Sequence, residues 1–527
     1  MFNRFLEILP AVCAWSAISL PIALSFYYPL YVGIFILVFS SIWFFKSLEF
    51  MGFLIYSYYK YKKSQKINWN KLLDDIDNHN IADLEEQYKL EKMLKKGSFI
   101  SPNNLRHLVI VATYKEDYHI LEQTIKSVLD TDYDKKKLYI CIATEERAGN
   151  HGINNAKKLK EQYGDQFGEF VYTVHSDGIE GEVIGKGGNI THAGRELEKM
   201  LQERGIKKSE YKNYIVTTLD ADNCVDKAFF ACLTYTYSME DQRKYRSFQP
   251  LSFFFNNIWE VPIFNRLVSL SSGFWHMIEN GRPDRLRNFA AHSQPFEALA
   301  EMDFWATDTI VEDGHQFWRS YLHFKGNYAV CPFFVPVYQD AMQDATFFKS
   351  IKGQFLQLRR WAWGVTDVLF MIKNWWKMRR ELPFTKTLLR FWRLAEGHFM
   401  WATAPILITL TTPVPSLINE EFNKTVFAAN SSFLISNFFK IALFGIIISM
   451  SLSMLTMPKA PTFRDKISLF WQWILLPPMT IVFGAFPAIT AQTILAFGKK
   501  LEFKVTPKFR KSHEKSSNHN KAGPKRA

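Results

Sequence analysis

The stretch YIVTTLDADNCVD, Tyr214 to Asp226, runs an apolar, β-branched segment straight into two carboxylates, Asp220 and Asp222, with one alanine between them. Acids at the mouth of a buried strand suit a divalent metal that holds phosphates, a calcium loop, or plain turn chemistry. A second acid pair, Glu312 and Asp313 in TIVEDGHQFWRS, precedes a helical pattern. Lys186 to Asn189, a lysine followed by two glycines and an asparagine, opens another helix, where backbone amides and an ammonium meet phosphate or sugar hydroxyls. Gln357, Arg360 and Trp361 fall at i, i+3 and i+4, hence on one helical face that offers an amide, a cation and an indole.

Spacing removes several phosphate and calcium chemistries. In GEVIGKGGN the first glycine, Gly181, is one position too close for a P-loop, and Gly187 stands where the magnesium-binding hydroxyl belongs. A haloacid-type phosphatase needs its D-x-D-x-T/V after the first strand, and here the acids follow the fourth. An EF-hand needs a glycine and a twelfth-position glutamate that are not there.

The elements that position these residues alternate. RHLVIVAT, KLYICIAT, EFVYTVHS and Tyr214 to Leu219 read as strands; Tyr118 to Leu129, Ile153 to Tyr163 and Asn189 to Arg204 read as helices. Such alternation predicts a parallel, doubly wound sheet, whose ligands bind at the carboxyl ends of the strands. Asp220 and Asp222 stand at such an end. The stretch from Lys352 to Arg380 is amphipathic, with four tryptophans among basic residues, and predicts a helix lying on a membrane surface.

Apolar segments frame this region. Ile8 to Phe26 and Leu30 to Phe45 carry no charge and predict a spanning hairpin, with Arg4 before it and Lys46, Lys60, Lys62, Lys63 and Lys66 after it placing both ends in the cytoplasm. His398 to Thr411 with its flanks and Phe433 to Met457 are further candidate spans, joined by an acidic-leaning loop that carries two glycosylation sequons. Ile467 to Phe497 is broken by Pro477-Pro478 and reads as a broken pair or re-entrant hairpin. At 527 residues the chain exceeds one ordinary soluble domain, and its 16% aromatic content, with 47 Phe and 15 Trp, fits membrane contact. The net charge of +13 suits an anionic partner, and five cysteines with no C-x-x-C pair argue against a disulfide framework or a zinc site.

In order, ATYKED, KGGN, LDADN, TIVEDGHQFWR and QLRRW resemble the motifs of membrane-integrated family 2 glycosyltransferases, the group that includes cellulose and hyaluronan synthases. The resemblance covers about residues 105 to 380. It implies an α/β fold: a cytoplasmic GT-A type nucleotide-sugar domain inserted between N- and C-terminal transmembrane helices. The implied division is a hairpin at 1–60, a linker at 61–100, the glycosyltransferase domain at 101–346, an interface helix at 347–385, a transmembrane region at 386–498 and a basic cytoplasmic tail at 499–527. Expected partners are a nucleotide-sugar donor (a UDP-sugar), a saccharide or lipid acceptor and the bilayer of the plasma or inner membrane, with no nucleic acid.

Under this resemblance Asp222, with Asp220 directly or through the nucleotide, holds Mg²⁺ or Mn²⁺. Thr113, Tyr114, Glu116, Glu145, Lys186, Asn189 and Asp220 contact the donor, Asp313 is the general base with Glu312 beside it, and Gln357, Arg360 and Trp361 meet acceptor and diphosphate. Asp313 also reads as a helix N-cap. One departure stands out: many members carry an Asp pair after the second strand, and CIATEERAG supplies Glu145 and Glu146 instead. Processive synthesis coupled to export, single addition to a lipid carrier, and a non-catalytic transporter or scaffold are the readings left open. Against the last, the ionisable motifs lie outside the apolar segments.

Overall fold

Strand β1 (Arg106–Ala112) is buried along nearly its whole length on both faces, as a central parallel strand must be. The computed structural model, which describes residues 2–503, places it between β2 (Leu138–Glu145) and β4 (Tyr214–Asp220), parallel to both, with β3 (Glu169–His175) outside β2. Ala112 pairs with Ala143 on one side and Asp220 on the other, so the carboxyl ends of the three strands are level. Helices α5 (Tyr118–Leu129), α6 (Asn150–Tyr163) and α7 (Lys186–Glu203) provide the connections. This half of the sheet has the predicted parallel winding.

The other half does not. The full order is β3-β2-β1-β4-β7-β6-β8-β5. β7 (Ser293–Pro295) runs antiparallel to β4 and to β6 (Arg246–Phe253); β8 (Ala329–Tyr338) lies parallel to β6, and β5 (Cys224–Val225) antiparallel to β8. The sheet is therefore mixed, because the short β7 and β5 join it antiparallel while β6 and β8, after α8 (Phe229–Ser238), are parallel neighbours. Helices α9 (Ile263–Asn280) and α10 (Phe296–Glu301) flank β7 in the chain, and α11 (Glu312–His323) precedes β8.

The region at 61–100 is not a bare linker. Asn68 and Asp83 accept backbone N–H bonds and cap α3 (Trp69–Asp77) and α4 (Leu84–Lys95). Their buried Leu73, Ile76 and Leu90 join the same apolar core as Val109, Val111, Ile140 and Leu219.

Around this domain stand α1 (Phe2–Leu24), α2 (Pro29–Ser64), α12 (Phe347–Ala362), α13 (Thr366–Met378), α14 (Phe384–Ile406), the short α15 (Val414–Ile418) and α16 (Glu420–Asn423), and α17 (Val426–Thr456). A 3₁₀ turn at Trp363–Val365 divides the expected interface helix into α12 and α13. Among the described residues four helices are long and apolar enough to cross a membrane: Asn3–Leu24, Pro29–Ser64, Val426–Thr456 and Phe463–Ala496. The expected span around His398 is not one of them; α14, which leads into it, carries Lys386, Arg390, Arg393 and Glu396 in its first half. The stretch with Pro477-Pro478 does not turn back either. Helix α18 (Phe463–Trp471), a 3₁₀ stretch (Gln472–Leu475), α19 (Leu476–Met479), a π stretch (Thr480–Ala485) and α20 (Phe486–Ala496) follow one another without a break. The helical pitch changes on either side of the proline pair, which removes two backbone donors from the run. Of the expected basic tail, residues 504–527 lie outside the described residues.

Candidate active site

Asp220 ends β4, and the turn after it is held from three sides. The Asp220 N–H donates to Asn223 Oδ1 (2.9 Å), Thr124 Oγ1 donates to the Ala221 carbonyl (2.7 Å), and Asn256 Nδ2 donates to the Asp222 carbonyl (2.8 Å). Asp222 is 5% exposed, and its Oδ2 accepts the Asp340 N–H at 3.1 Å. Neither acid caps a helix. The Asp220 side chain is 32% exposed and turns to the cleft, where Lys186 Nζ lies 3.0 Å from its Oδ1.

No cluster of three or more His, Cys, Asp or Glu side chains that could hold a metal occurs among the described residues. Two carboxylates on a rigid turn do fit a hard cation that draws its remaining ligands from phosphate oxygens, which is how Mg²⁺ is commonly held. The Lys186 ammonium already occupies a cation position against Asp220.

Lys186 opens α7, and close packing places it there. A Cβ on Gly187 would lie 2.3 Å from the Ala306 carbonyl oxygen, so only glycine lets the helix start against that backbone. Lys186 Nζ is also 3.4 Å from Asp313 Oδ1, so one ammonium joins the acids of two motifs 127 residues apart. Burial opposes its charge, but Asp220, Asp313 and Glu312 outweigh burial and hold the lysine well above its ordinary value. Asn189, one turn on, is 1% exposed and donates from Nδ2 to the Ala143 carbonyl (2.8 Å). It is stitched to β2 rather than open to the cleft.

Glu312 and Asp313 form the first turn of α11, and Val311 is the N-cap, so Asp313 is not the cap the sequence suggested. Glu312 is buried; burial first, and the neighbouring Asp313 carboxylate second, push it up to about 8. Asp313 has a second neighbour that sequence reading missed, His292, with Nδ1 3.7 Å from Asp313 Oδ1. Trp305 Nε1 donates to His292 Nε2 (3.4 Å), which assigns the proton to Nδ1, whose partner is the Phe289 carbonyl at 2.9 Å. Burial lowers the His292 pKa, against the opposing pull of Asp313.

After β1, Glu116 Oε2 accepts both the Thr113 hydroxyl (2.9 Å) and the Tyr114 N–H (2.7 Å) and so latches the loop. Glu145 ends β2, is buried and pairs with Arg147, whose guanidinium lies 4.3 Å over the Tyr114 ring. The structure therefore joins Tyr114 and Glu145 through an arginine that the motif reading did not include. No sequence signal beyond its place beside Glu145 points to it.

On α12, Gln357 Oε1 accepts from Gln354 Nε2 (3.0 Å), and Trp361 packs against Phe254 with ring centres 6.1 Å apart. Arg360 lies 4.7 Å over the Phe503 ring. Burial lowers its pKa, and the charges that oppose burial are Glu312, Asp220 and Asp313. The trio's cation thus lies within electrostatic reach of the acids of the strand end and of α11.

No protein-family model matches the chain, and no curated protein does. Among solved structures, a mannosyltransferase from Pyrobaculum calidifontis in complex with GDP-Man and Mn²⁺ is similar at TM-score 0.43 and 12% identity, over 88% of this chain and all of its own (100%). S. aureus TarS in complex with UDP-GlcNAc gives 0.35 and 11%, over 76% of this chain and 94% of that one. GalNAc-T7 with UDP, GalNAc and Mn²⁺ gives 0.29 and 12%, over 58% of each. At these scores the likeness decides nothing about activity, which has to rest on the side chains.

Proposed function

We propose that this protein is a membrane-bound glycosyltransferase that moves a sugar from a nucleotide-sugar donor to an acceptor hydroxyl, as a processive polysaccharide synthase coupled to export. One observation carries the reading: Lys186 draws the strand-end acid Asp220 and the helix acid Asp313 into one cleft, with Arg360 on the facing helix. A diphosphate leaving group gains negative charge as its bond to the sugar breaks. A site that gathers a lysine, an arginine and a metal-compatible acid pair is suited to receive it.

In this reading Asp222 and Asp220 hold a divalent cation, which supplies charge neutralisation to the departing diphosphate. Lys186 and Arg360 steer the phosphates. Asp313 accepts the proton of the acceptor hydroxyl as its oxygen bonds to the anomeric carbon, and the electron pair of the breaking C–O bond leaves with the diphosphate. Glu312, held protonated at neutral pH by burial, does not compete for that proton. Tyr114, Arg147 and Glu145 form the nucleoside end of the donor site. The basic residues that flank the first apolar segments support a catalytic domain on the cytoplasmic face.

The test is to incubate the purified protein with a panel of radiolabelled nucleotide sugars, with and without chelator. Transfer from one donor class is expected, lost in chelator and in a folded Asp222→Asn variant. Silence with every donor, or full turnover in excess chelator, overturns the reading or its metal in turn.

A further inference from the structure

Helix α13 is basic and aromatic, yet its one carboxylate, Asp367, is only 3% exposed. A buried acid is costly unless something pairs with it. Its partner is His315 on α11, two residues beyond Asp313: His315 Nδ1 lies 2.6 Å from Asp367 Oδ1, and His315 is itself 9% exposed. The same imidazole meets the Phe370 ring edge-on, at 4.4 Å between centres. Contacts to an acid and an aromatic of one helix fix the imidazole's position and orientation together.

The placement of this pair matters more than its strength. Residues two apart on an α-helix point about 200° from each other. Asp313 faces Lys186 in the cleft, so His315 faces the back of α11, where α13 packs. A single 3₁₀ turn joins α13 to α12, which carries Gln357, Arg360 and Trp361. The bond therefore ties the helix of the base to α13, which one 3₁₀ turn joins to the helix of the acceptor face.

We propose that His315 and Asp367 are positioning residues for glycosyl transfer, which set the register of Asp313 against the acceptor-facing helix. The inference rests on the reading of Asp313 as general base. It assigns the pair no contact with substrate. Loss of the bond lets α11 and α13 shift, and an ångström of misplacement at a reacting group lowers rate by roughly 100-fold. Most of the donor site, Tyr114, Arg147, Lys186 and the strand-end acids, lies on elements the pair does not touch; only Arg360 joins it from α12.

The experiment measures kcat, acceptor KM and calorimetric donor affinity for wild type, Asp367→Ala, Asp367→Asn, His315→Asn and the double variant Asp367→Ala/His315→Ala. Asp367→Ala is expected to lose roughly 10- to 100-fold in kcat with donor affinity unchanged. Asp367→Asn and His315→Asn each keep one hydrogen-bonding group in place and should recover part of that loss. The double variant should be no worse than Asp367→Ala alone, because the pair acts as a unit. If Asp367→Ala does not fold, the two asparagine variants and their kcat-to-affinity split decide the matter. Wild-type kcat in Asp367→Ala, or a fall in donor affinity that matches the fall in rate, overturns the inference while glycosyl transfer stands. A wild type that transfers no sugar at all overturns both.

Discussion

The Asp313 carboxylate lies 3.4 Å from Lys186 and 3.7 Å from the neutral ring of His292, and its side chain is 22% exposed. Asp313→Asn keeps the shape and removes the proton acceptor. It should bind nucleotide about as well as wild type and lose roughly 10²–10⁴-fold in initial velocity; normal velocity would demote Asp313 to a structural first-turn acid. Glu312 gives a pH prediction. Its carboxyl titrates at about 8 in the folded protein against an ordinary 4.5, so between those values the folded chain keeps a proton that the unfolded chain releases. Stability then falls as pH rises through that window, by at most about 1.4 kcal/mol per pH unit for one proton. Glu312→Gln should flatten the fall in melting temperature between pH 5 and 8, and an unchanged slope would locate the effect elsewhere. Short motifs carry Asp220, Asp313 and Lys186, which the structure brings within reach of one another. Arg147, His292 and the His315–Asp367 pair were not legible in the sequence, since each acquires its role from a partner or strand end that only folding brings near.

At the scale of elements, α7 decides where Lys186 can stand. A methyl on Gly187 meets the Ala306 carbonyl at 2.3 Å, a backbone atom that cannot rotate away. A methyl on Gly188 first meets Glu182 Oε2 at 2.6 Å, the far end of a flexible side chain. Gly187→Ala should therefore cost roughly 1–3 kcal/mol of stability and most of the activity, with Gly188→Ala the milder of the two. Melting curves beside initial rates check the order; the reverse order would mean that α7 is not seated by that carbonyl. The regular elements were readable where a period ran long enough. Helix α5 has the expected bounds, Tyr118–Leu129, and the parallel strands lie where apolar runs placed them. β5, two residues long, and β7, three residues ending in proline, are too short to show alternation. They turn the expected parallel sheet into a mixed one. The helical run from Phe463 to Ala496 was misread as broken because a proline pair signals a break only if the helix cannot change pitch, and here it does so on both sides.

For the whole molecule, the question is where the product goes. Helix α20 packs along α1 and against α12, the helix that bears Gln357, Arg360 and Trp361. Helical pitch that varies beside those contacts is tolerated within a membrane where protein or water satisfies the backbone. On the proposed reading, the Trp361 indole would stack on the terminal sugar and retain a growing chain between additions, and the chain would leave among the helices. Trp361→Ala should then shorten or abolish the polymer while single-sugar transfer to a soluble acceptor persists. Proteoliposomes given labelled donor outside should accumulate long, glycosidase-sensitive material in the lumen, released only after the vesicles are opened. A lipid carrying one sugar, left on the side where donor was added, would identify a single-addition enzyme instead. In that case Trp361→Ala would alter acceptor affinity and leave product length unchanged.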